Sequence, residues 1–417
     1  MRFPRLKLVL GLVLSLACSV FIRHLLPTVP HLPRRPQVRV APRMASITIV
    51  KTNAAYNMTQ QQCNRYLAVS SQPILGNTVE KTHVAFLKVH KCASSTLFNI
   101  FYRFGQQRHL TFVVPREGHI IGRYTAMRKR KLFPPPGNKT FDIACLHSVF
   151  EKDVYEAYLP KDTVYIAIIR EPLNRLVSAF WYYRTLYKTP YLKQIPGPDP
   201  LSSFLLDPSK YENQDIYYSH TNNKMALDFG FPPEHSGNIS YFKQYLSLLE
   251  SRFDLILDAD LFPESIILMK RKLNWSLKDV LYISQNKLKK KPVRWTGFLK
   301  KTAKDFLHLD YMLYEHFSRR LREEIKTQDT SFKDEVENLR HVLRGVTRFC
   351  ADSGSRDMGK VLVVAATRWN REFRVHFCDC SYMMLKEIPA VGMMKESIKT
   401  RLKKKGPNTS YYLNLPM

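Results

Sequence analysis

The chain has 417 residues, 45% of them apolar and 12% aromatic, with 65 Lys and Arg against 35 Asp and Glu for a formal charge of +30. This composition excludes disorder as the general state and leaves ample material for a sizeable core. The cationic excess favours an acidic partner, whether nucleic acid, anionic lipid or a polyanionic small molecule.

In chain order, Arg2, Arg5 and Lys7 precede an uncharged apolar stretch from 8 to 22, followed by Arg23 and His24. That length is short for a plasma-membrane span but sufficient for a thinner early-secretory or Golgi bilayer. The positive-inside rule then predicts a cytosolic tail over 1–7, a signal anchor over 8–22 and a lumenal remainder, a single-pass type II arrangement. A cleaved signal peptide is the competing reading, with Ala17-Cys18-Ser19 a poor cleavage site. Lumenal placement agrees with five Asn-x-Ser/Thr sequons, at Asn57, Asn138, Asn238, Asn274 and Asn408. It also agrees with Cys63, Cys92, Cys145, Cys350, Cys378 and Cys380, which an oxidising lumen would allow to pair. Pairing is not legible, although Cys350 with Cys378 or Cys380 is a candidate staple. No metal is expected, because Cys378-x-Cys380 lacks a companion pair at ligand spacing. The anchor and sequons also argue against nucleic acid as the partner.

Pro27, Pro30, Pro33, Pro36 and Pro42 mark an extended stem, predicted over 23–80. From 81 onward, strand-like apolar runs alternate with helical patterns, which predicts an α/β fold with a mainly parallel sheet flanked by helices. The core is expected over 81–330, with 331–417 a helical, disulfide-containing extension of the same domain.

The first strand–helix pair is the most informative. Val84, Phe86 and Leu87 suit a buried strand, and Leu97, Phe98, Ile100, Phe101 and Phe104 a buried helix face. Between them lie Lys88, His90, Lys91, Ser94, Ser95 and Thr96. A strand feeding a helix through such a turn directs backbone N–H groups and the positive helix end at one spot, suited to a phosphate or sulfate group beside an imidazole. The loop has no glycine and does not fit the GxxxxGK[ST] pattern, so a nucleoside triphosphatase is not expected.

Residues 163–169 predict a second strand, ending at Arg170-Glu171-Pro172. The proline suits the opening of a helix over 173–183 that carries Arg175 and Ser178 on one face. Two strand ends would thus supply Lys91 and Arg170 to one crevice. Further elements are a strand over 253–257 followed by Asp258 and Asp260, and helices over 262–273, 301–324 and 332–344. The last carries Phe332, Val336, Leu339 and Leu343, with Ser331 and Asp334 as start signals. The basic runs 128–131, 287–291 and 399–405 read as solvated faces or tails.

Residues 87–100, LKVHKCASSTLFNI, with RFG at 103–105, resemble the 5′-phosphosulfate loop of sulfotransferases that use 3′-phosphoadenylyl sulfate (PAPS). More closely, they resemble the LKTHKTASSTLLNI…RFG signature of the galactose-3-O-sulfotransferases. Arg170-Glu-Pro172 with Ser178-Ala-Phe180 is similar to that family's RDP…SSF segment, and Ala144-Cys-Leu-His147 to its ICNH segment. Similar elements run from Asn223 to Gly230, from Arg252 to Ser265, over 279–282 and over 313–317. The resemblance covers roughly 82–320 and weakens beyond Cys350.

It implies a P-loop-like PAPS-dependent sulfotransferase fold and transfer of sulfate from PAPS to the 3-hydroxyl of a terminal β-galactose. The acceptor would be a glycolipid (galactosylceramide, lactosylceramide) or a glycoprotein glycan, at the Golgi membrane, with a homodimer left open. By the same resemblance, Lys88, Lys91, Cys92, Ala93, Ser94, Ser95 and Thr96 would cradle the 5′-phosphosulfate, and Arg170 and Ser178 the 3′-phosphate. Lys91 would neutralise the leaving oxygen, and His90 or His147 would take the acceptor's proton, since a neutral imidazole suits that task. His147, Asn223 and Asp228 are acceptor-site candidates, and Arg175 and Asp260 have weaker claims. Val89 and Cys92 stand where the family has Thr, and Leu146 where it has Asn, which leaves acceptor preference open. Another glycan acceptor, such as a glycosaminoglycan, and a catalytically silent glycan- or lipid-binding relative are the alternatives.

Overall fold

The computed structural model describes residues 44–51, 63, 79–122, 127–135, 140–284, 295–352 and 359–403. The tail, the anchor over 8–22, most of the stem, the run 287–291 and the sequons at Asn57, Asn138 and Asn408 lie outside the described residues. Among the described residues, no helix is long and apolar enough to cross a membrane.

The centre is a four-stranded parallel sheet in the order β3-β2-β4-β5, built from β2 (Val84–Leu87), β3 (Ile143–Ala144), β4 (Val164–Ile169) and β5 (Leu255–Asp258). Val84 to Leu87 pair with Val164 to Ala167, and Ile166 to Ile169 pair with Leu255 to Asp258. All four residues of β2 are buried, as is expected for parallel strands covered on both faces. The principal flanking helices are α1 (Ser94–Gln107), α2 (Lys152–Tyr158), α3 (Pro172–Thr185), α4 (Lys224–Asp228), α5 (Ile239–Arg252), α6 (Phe262–Leu273), α7 (Gly297–Phe306) and α8 (His308–Thr327). The chain leaves β2 toward β3 on one side and returns through β4 on the other. The gap beyond the carboxyl ends of β2 and β4 is therefore a topological switch point, where open α/β sheets bind ligands.

Local chemistry fixes the elements at that gap. Pro172 opens α3, where its missing N–H is not needed, and the Glu171 carboxylate accepts from the N–H groups of Leu173 and Asn174. Gly230, with φ of 90°, closes α4 where a Cβ would lie 2.1 Å from the Phe150 carbonyl oxygen. Phe150 N–H in turn donates to the Asp228 carbonyl at 3.0 Å, so α4 is docked on the segment that follows β3.

Folded structure begins earlier than the stem boundary at 80. β1 (Ile47–Lys51) pairs antiparallel with β6 (Lys360–Val364), which pairs with β7 (Phe373–Val375) in a separate three-stranded sheet. The C-terminal extension is accordingly not helical alone. Beside these strands it contains α9 (Phe332–Ala351), α10 (Phe377–Met383) and α11 (Glu387–Lys403). The disulfide Cys350–Cys380 closes within the extension and Cys63–Cys378 joins it to the segment before β2, while Cys92 and Cys145 are free and buried. It packs on α1 through Asn99, whose amide donates to the carbonyls of Tyr382 and Leu385 at 2.7 and 3.1 Å.

The helix expected over 301–324 is two helices broken at Leu307. The interruption is filled from elsewhere in the chain. Asn222 donates to the Phe306 carbonyl, and the Asn223 side-chain oxygen accepts from the N–H groups of Leu309 and Asp310.

Candidate active site

A cleft of about 1040 Å³ opens beyond the carboxyl ends of β2 and β4. Lys88, His90, Lys91, Ala93, Ser94, Ser95, Thr96, His147, Arg170 and Ser178 all line it. Sequence positions spread over ninety residues therefore converge. Cys92, Asn223 and Asp228 lie behind its wall, and their side chains do other work.

The loop from β2 to α1 is held in an unusual backbone path. Lys91 and Ala93 have φ of 64° and 58° while Cys92 between them does not, an alternation that turns successive N–H groups toward one concavity and suits an anion. Left-handed conformations at non-glycine residues cost about 1 kcal/mol each, and the surrounding packing must hold them. Ser94 helps by donating to the Val89 carbonyl at 2.7 Å, and Arg170 by donating to the Lys91 carbonyl at 3.0 Å. Cys92 points inward, with its thiol 3.5 Å from the His90 carbonyl, and burial pushes that thiol far above its usual value, so it is inert. Replacing a hydroxyl here thus leaves the backbone concavity intact. The Lys91 ammonium stands 3.4 Å from the centre of the Tyr182 ring.

Behind the loop, the backbone N–H of His90 donates to Asp228 at 2.8 Å, and its Nδ1 lies 2.8 and 3.0 Å from the two carboxylate oxygens. Lys224, one helical turn before Asp228, reaches the same carboxylate at 2.9 Å. Burial would raise the Asp228 carboxyl, but the His90 ring, the Lys224 ammonium and the hydrogen bonds from His90 outweigh it and hold the group well below the usual carboxylate range. An ionised carboxylate only accepts, so Nδ1 of His90 carries the proton and the lone pair lies on Nε2. Burial depresses the His90 ring below the ordinary imidazole value despite the opposing pull of Asp228, keeping the ring neutral near pH 7.

His147 stacks on His90 at 4.0 Å and has different partners. Its Nδ1 faces the Lys88 carbonyl at 2.7 Å, and its Nε2 faces the Lys88 ammonium at 2.7 Å. A carbonyl only accepts and an ammonium only donates, so Nδ1 bears the proton and the Nε2 lone pair is engaged. Burial, followed by the nearby Lys88 ammonium, holds this ring well below the ordinary value.

Arg175 is fully buried, not a surface cation. It lies 3.3 Å from the Asp310 carboxylate, an ion pair by distance without hydrogen-bond alignment, and donates to the carbonyls of His220 and Thr221. Burial raises the Asp310 carboxyl, and Asp310 also accepts from Ala226 N–H. Together with Asn223, this frame fixes the segment that presents Lys224 and Asp228. Asp260 lines the cleft and accepts from Glu171 N–H at 2.8 Å.

Sequence reasoning missed Lys224, Glu387 and the aromatic wall of Trp181, Tyr182, Tyr183 and His220. The four-residue spacing of Lys224 and Asp228 was a legible signal for one of these. Glu387 has none, because its place depends on how the extension packs. Of the described sequons, Asn238 is exposed and caps α5 by accepting from Tyr241 N–H, and Asn274 ends α6 with φ of 55°.

Residues 28–370 match the protein family described as Galactose-3-O-sulfotransferase. The chain is 31% identical over 291 residues to human Galactose-3-O-sulfotransferase 2, covering 68% of this chain and 72% of that protein. To human Galactosylceramide sulfotransferase it is 29% identical over 320 residues, covering 76% and 75%. To human Galactose-3-O-sulfotransferase 3 it is 28% identical over 293 residues, covering 68% and 67%. The loop that carries His90 and Lys91 thus sits within a match that spans most of the molecule, and the chain belongs to the galactose-3-O-sulfotransferase family.

Proposed function

We propose that this protein transfers the sulfuryl group of PAPS to the 3-hydroxyl of a terminal β-galactose, on a glycolipid such as galactosylceramide or lactosylceramide or on a glycoprotein glycan. It does so as a type II protein of the Golgi membrane with its catalytic domain in the lumen. The observation that carries this reading is the His90–Asp228 pair at the floor of a cationic cleft.

The residues present fit the donor. A backbone concavity at 91–93, the N-terminus of α1 and the Ser95 and Thr96 side chains suit its 5′-phosphosulfate, and Arg170 with Ser178 suits its 3′-phosphate. When bound, PAPS supplies the sulfuryl group and, in its nucleotide diphosphate, the leaving group. Lys91 then provides positive charge next to the leaving oxygen. A sugar hydroxyl attacks only as its proton departs, and the Nε2 lone pair of His90 receives that proton. Asp228 holds the ring in the correct tautomer and stabilises the imidazolium that forms, while Lys224 keeps Asp228 ionised.

The test is incubation of the full-length protein with labelled PAPS and a panel of β-galactosides, followed by linkage analysis of the product. Label on the galactose 3-hydroxyl is expected. Transfer to heparan or chondroitin chains in place of galactosides would overturn the acceptor, and nucleotide binding with no transfer to any glycan would overturn the activity.

A further inference from the structure

Lys88 lines the cleft with a side chain that is 1% exposed, and among the described residues its ammonium meets His147 Nε2 at 2.7 Å and Glu387 Oε2 at 3.0 Å. A buried ammonium without a counter-charge gives up its proton. The counter-charge here comes from the first turn of α11, beyond the residues 28–370 that match the family. That turn is held firmly, since α10 carries both disulfides and Asn99 of α1 bonds the carbonyls of Tyr382 and Leu385 just before it. The other Glu387 oxygen, Oε1, is buried with no hydrogen-bond partner among the described residues, an expensive placement for a carboxylate that served packing alone.

We propose that Glu387 is a positioning residue for the reaction: it holds Lys88 as an ammonium against His147 Nε2, which fixes a positive charge in the cleft wall and leaves His90 as the imidazole that takes the acceptor's proton. The proposal rests on the sulfotransferase reading above. No proton passes through Glu387 or Lys88; the hydroxyl proton moves to His90 Nε2. Among the described residues, the charged and titratable groups facing this cluster are His90, His147 and Cys145 from the strand ends, Tyr182 from α3, Lys224 and Asp228 from α4, and Glu387 from α11.

The experiment is steady-state kinetics of the full-length protein with PAPS and a galactoside acceptor, for the unmodified chain, Glu387→Gln and Glu387→Asp, read as kcat against KM for PAPS. Glu387→Gln removes the counter-charge of Lys88, and kcat should fall about tenfold or more while KM for PAPS changes less than about threefold. Glu387→Asp, which keeps the charge, should recover most of that kcat. Equal kcat for the unmodified chain and Glu387→Gln would overturn the proposal, as would an equal loss in Glu387→Asp.

Should Glu387→Gln fail to fold, a second pair decides. Lys88→Gln and Lys88→Gln/Glu387→Gln remove the charge that Glu387 serves, so their rates are expected to agree within about twofold. A further loss in the double variant, or its failure to fold where Lys88→Gln folds, would show a role for Glu387 unrelated to Lys88 and would overturn the proposal. Absence of transfer by the unmodified protein would instead overturn the functional reading, and this proposal with it.

Discussion

His90 and His147 lie face to face at the same cleft, equally neutral, yet the groups behind them give them different chemistry. His90 backs onto a carboxylate that an adjacent lysine keeps ionised, so its outward nitrogen is basic and any proton it gains is stabilised. His147 backs onto a backbone carbonyl, which offers little to an imidazolium, and its outward nitrogen already receives the Lys88 ammonium. The residue type alone therefore does not distinguish the two rings; the partner of Nδ1 and the occupancy of Nε2 do, and they support His90 as the proposed base.

The comparison can be broken first at its source. Asp228→Asn removes the charge that distinguishes the two rings, and should lower kcat by about two orders of magnitude or more with a small change in donor affinity, measured by steady-state kinetics and nucleotide titration. A loss no larger than tenfold would mean that the Asp228 contact orients His90 without energising it.

The pH profile sharpens the same contrast. Burial holds the His90 ring below the ordinary imidazole value, so its neutral, base-competent form persists to lower pH. Activity should be present above that depressed value and be lost as pH falls through it. The acid limb of kcat/KM is thus expected below about pH 6.5. Asp228→Asn should move it lower still, because the charge that favours the imidazolium is gone.

The smallest expected effect tests the frame and not the chemistry. Asn223 sits at φ of 40° and accepts two N–H bonds at the start of α8, so Asn223→Ala should cost about 1–2 kcal/mol of stability in a denaturant titration. Per folded molecule, kcat should change little.

These residues also mark where sequence reading ends. The strand ends, the anion-binding loop, and the convergence of Lys91, Arg170 and Ser178 were legible, because each rests on local periodicity and on the geometry common to strand–loop–helix units. The break at Leu307 was not, since the apolar pattern runs through it and the carbonyl and N–H groups it exposes are satisfied by Asn222 and Asn223 from a distant segment. β1 falls in the segment read as stem from its proline-rich, aperiodic composition; Ile47–Lys51 is mostly exposed and gains its order from pairing with β6, more than three hundred residues later. Asp228 was read as an acceptor-site candidate, and its carboxylate meets the backbone N–H and Nδ1 of His90, a contact that depends on how α4 docks. The disulfide alternatives at Cys350 resolve to Cys380, and Cys63 takes Cys378, a pairing over a sequence separation of 315 that spacing could not reveal.

The most direct test of the account is the rate of sulfate transfer from PAPS to a terminal β-galactoside by His90→Ala compared with His147→Ala, each checked for intact nucleotide binding. A loss of about 10²- to 10⁴-fold is expected for His90→Ala and less than about tenfold for His147→Ala. The reverse order, or near-normal turnover by His90→Ala, would contradict it.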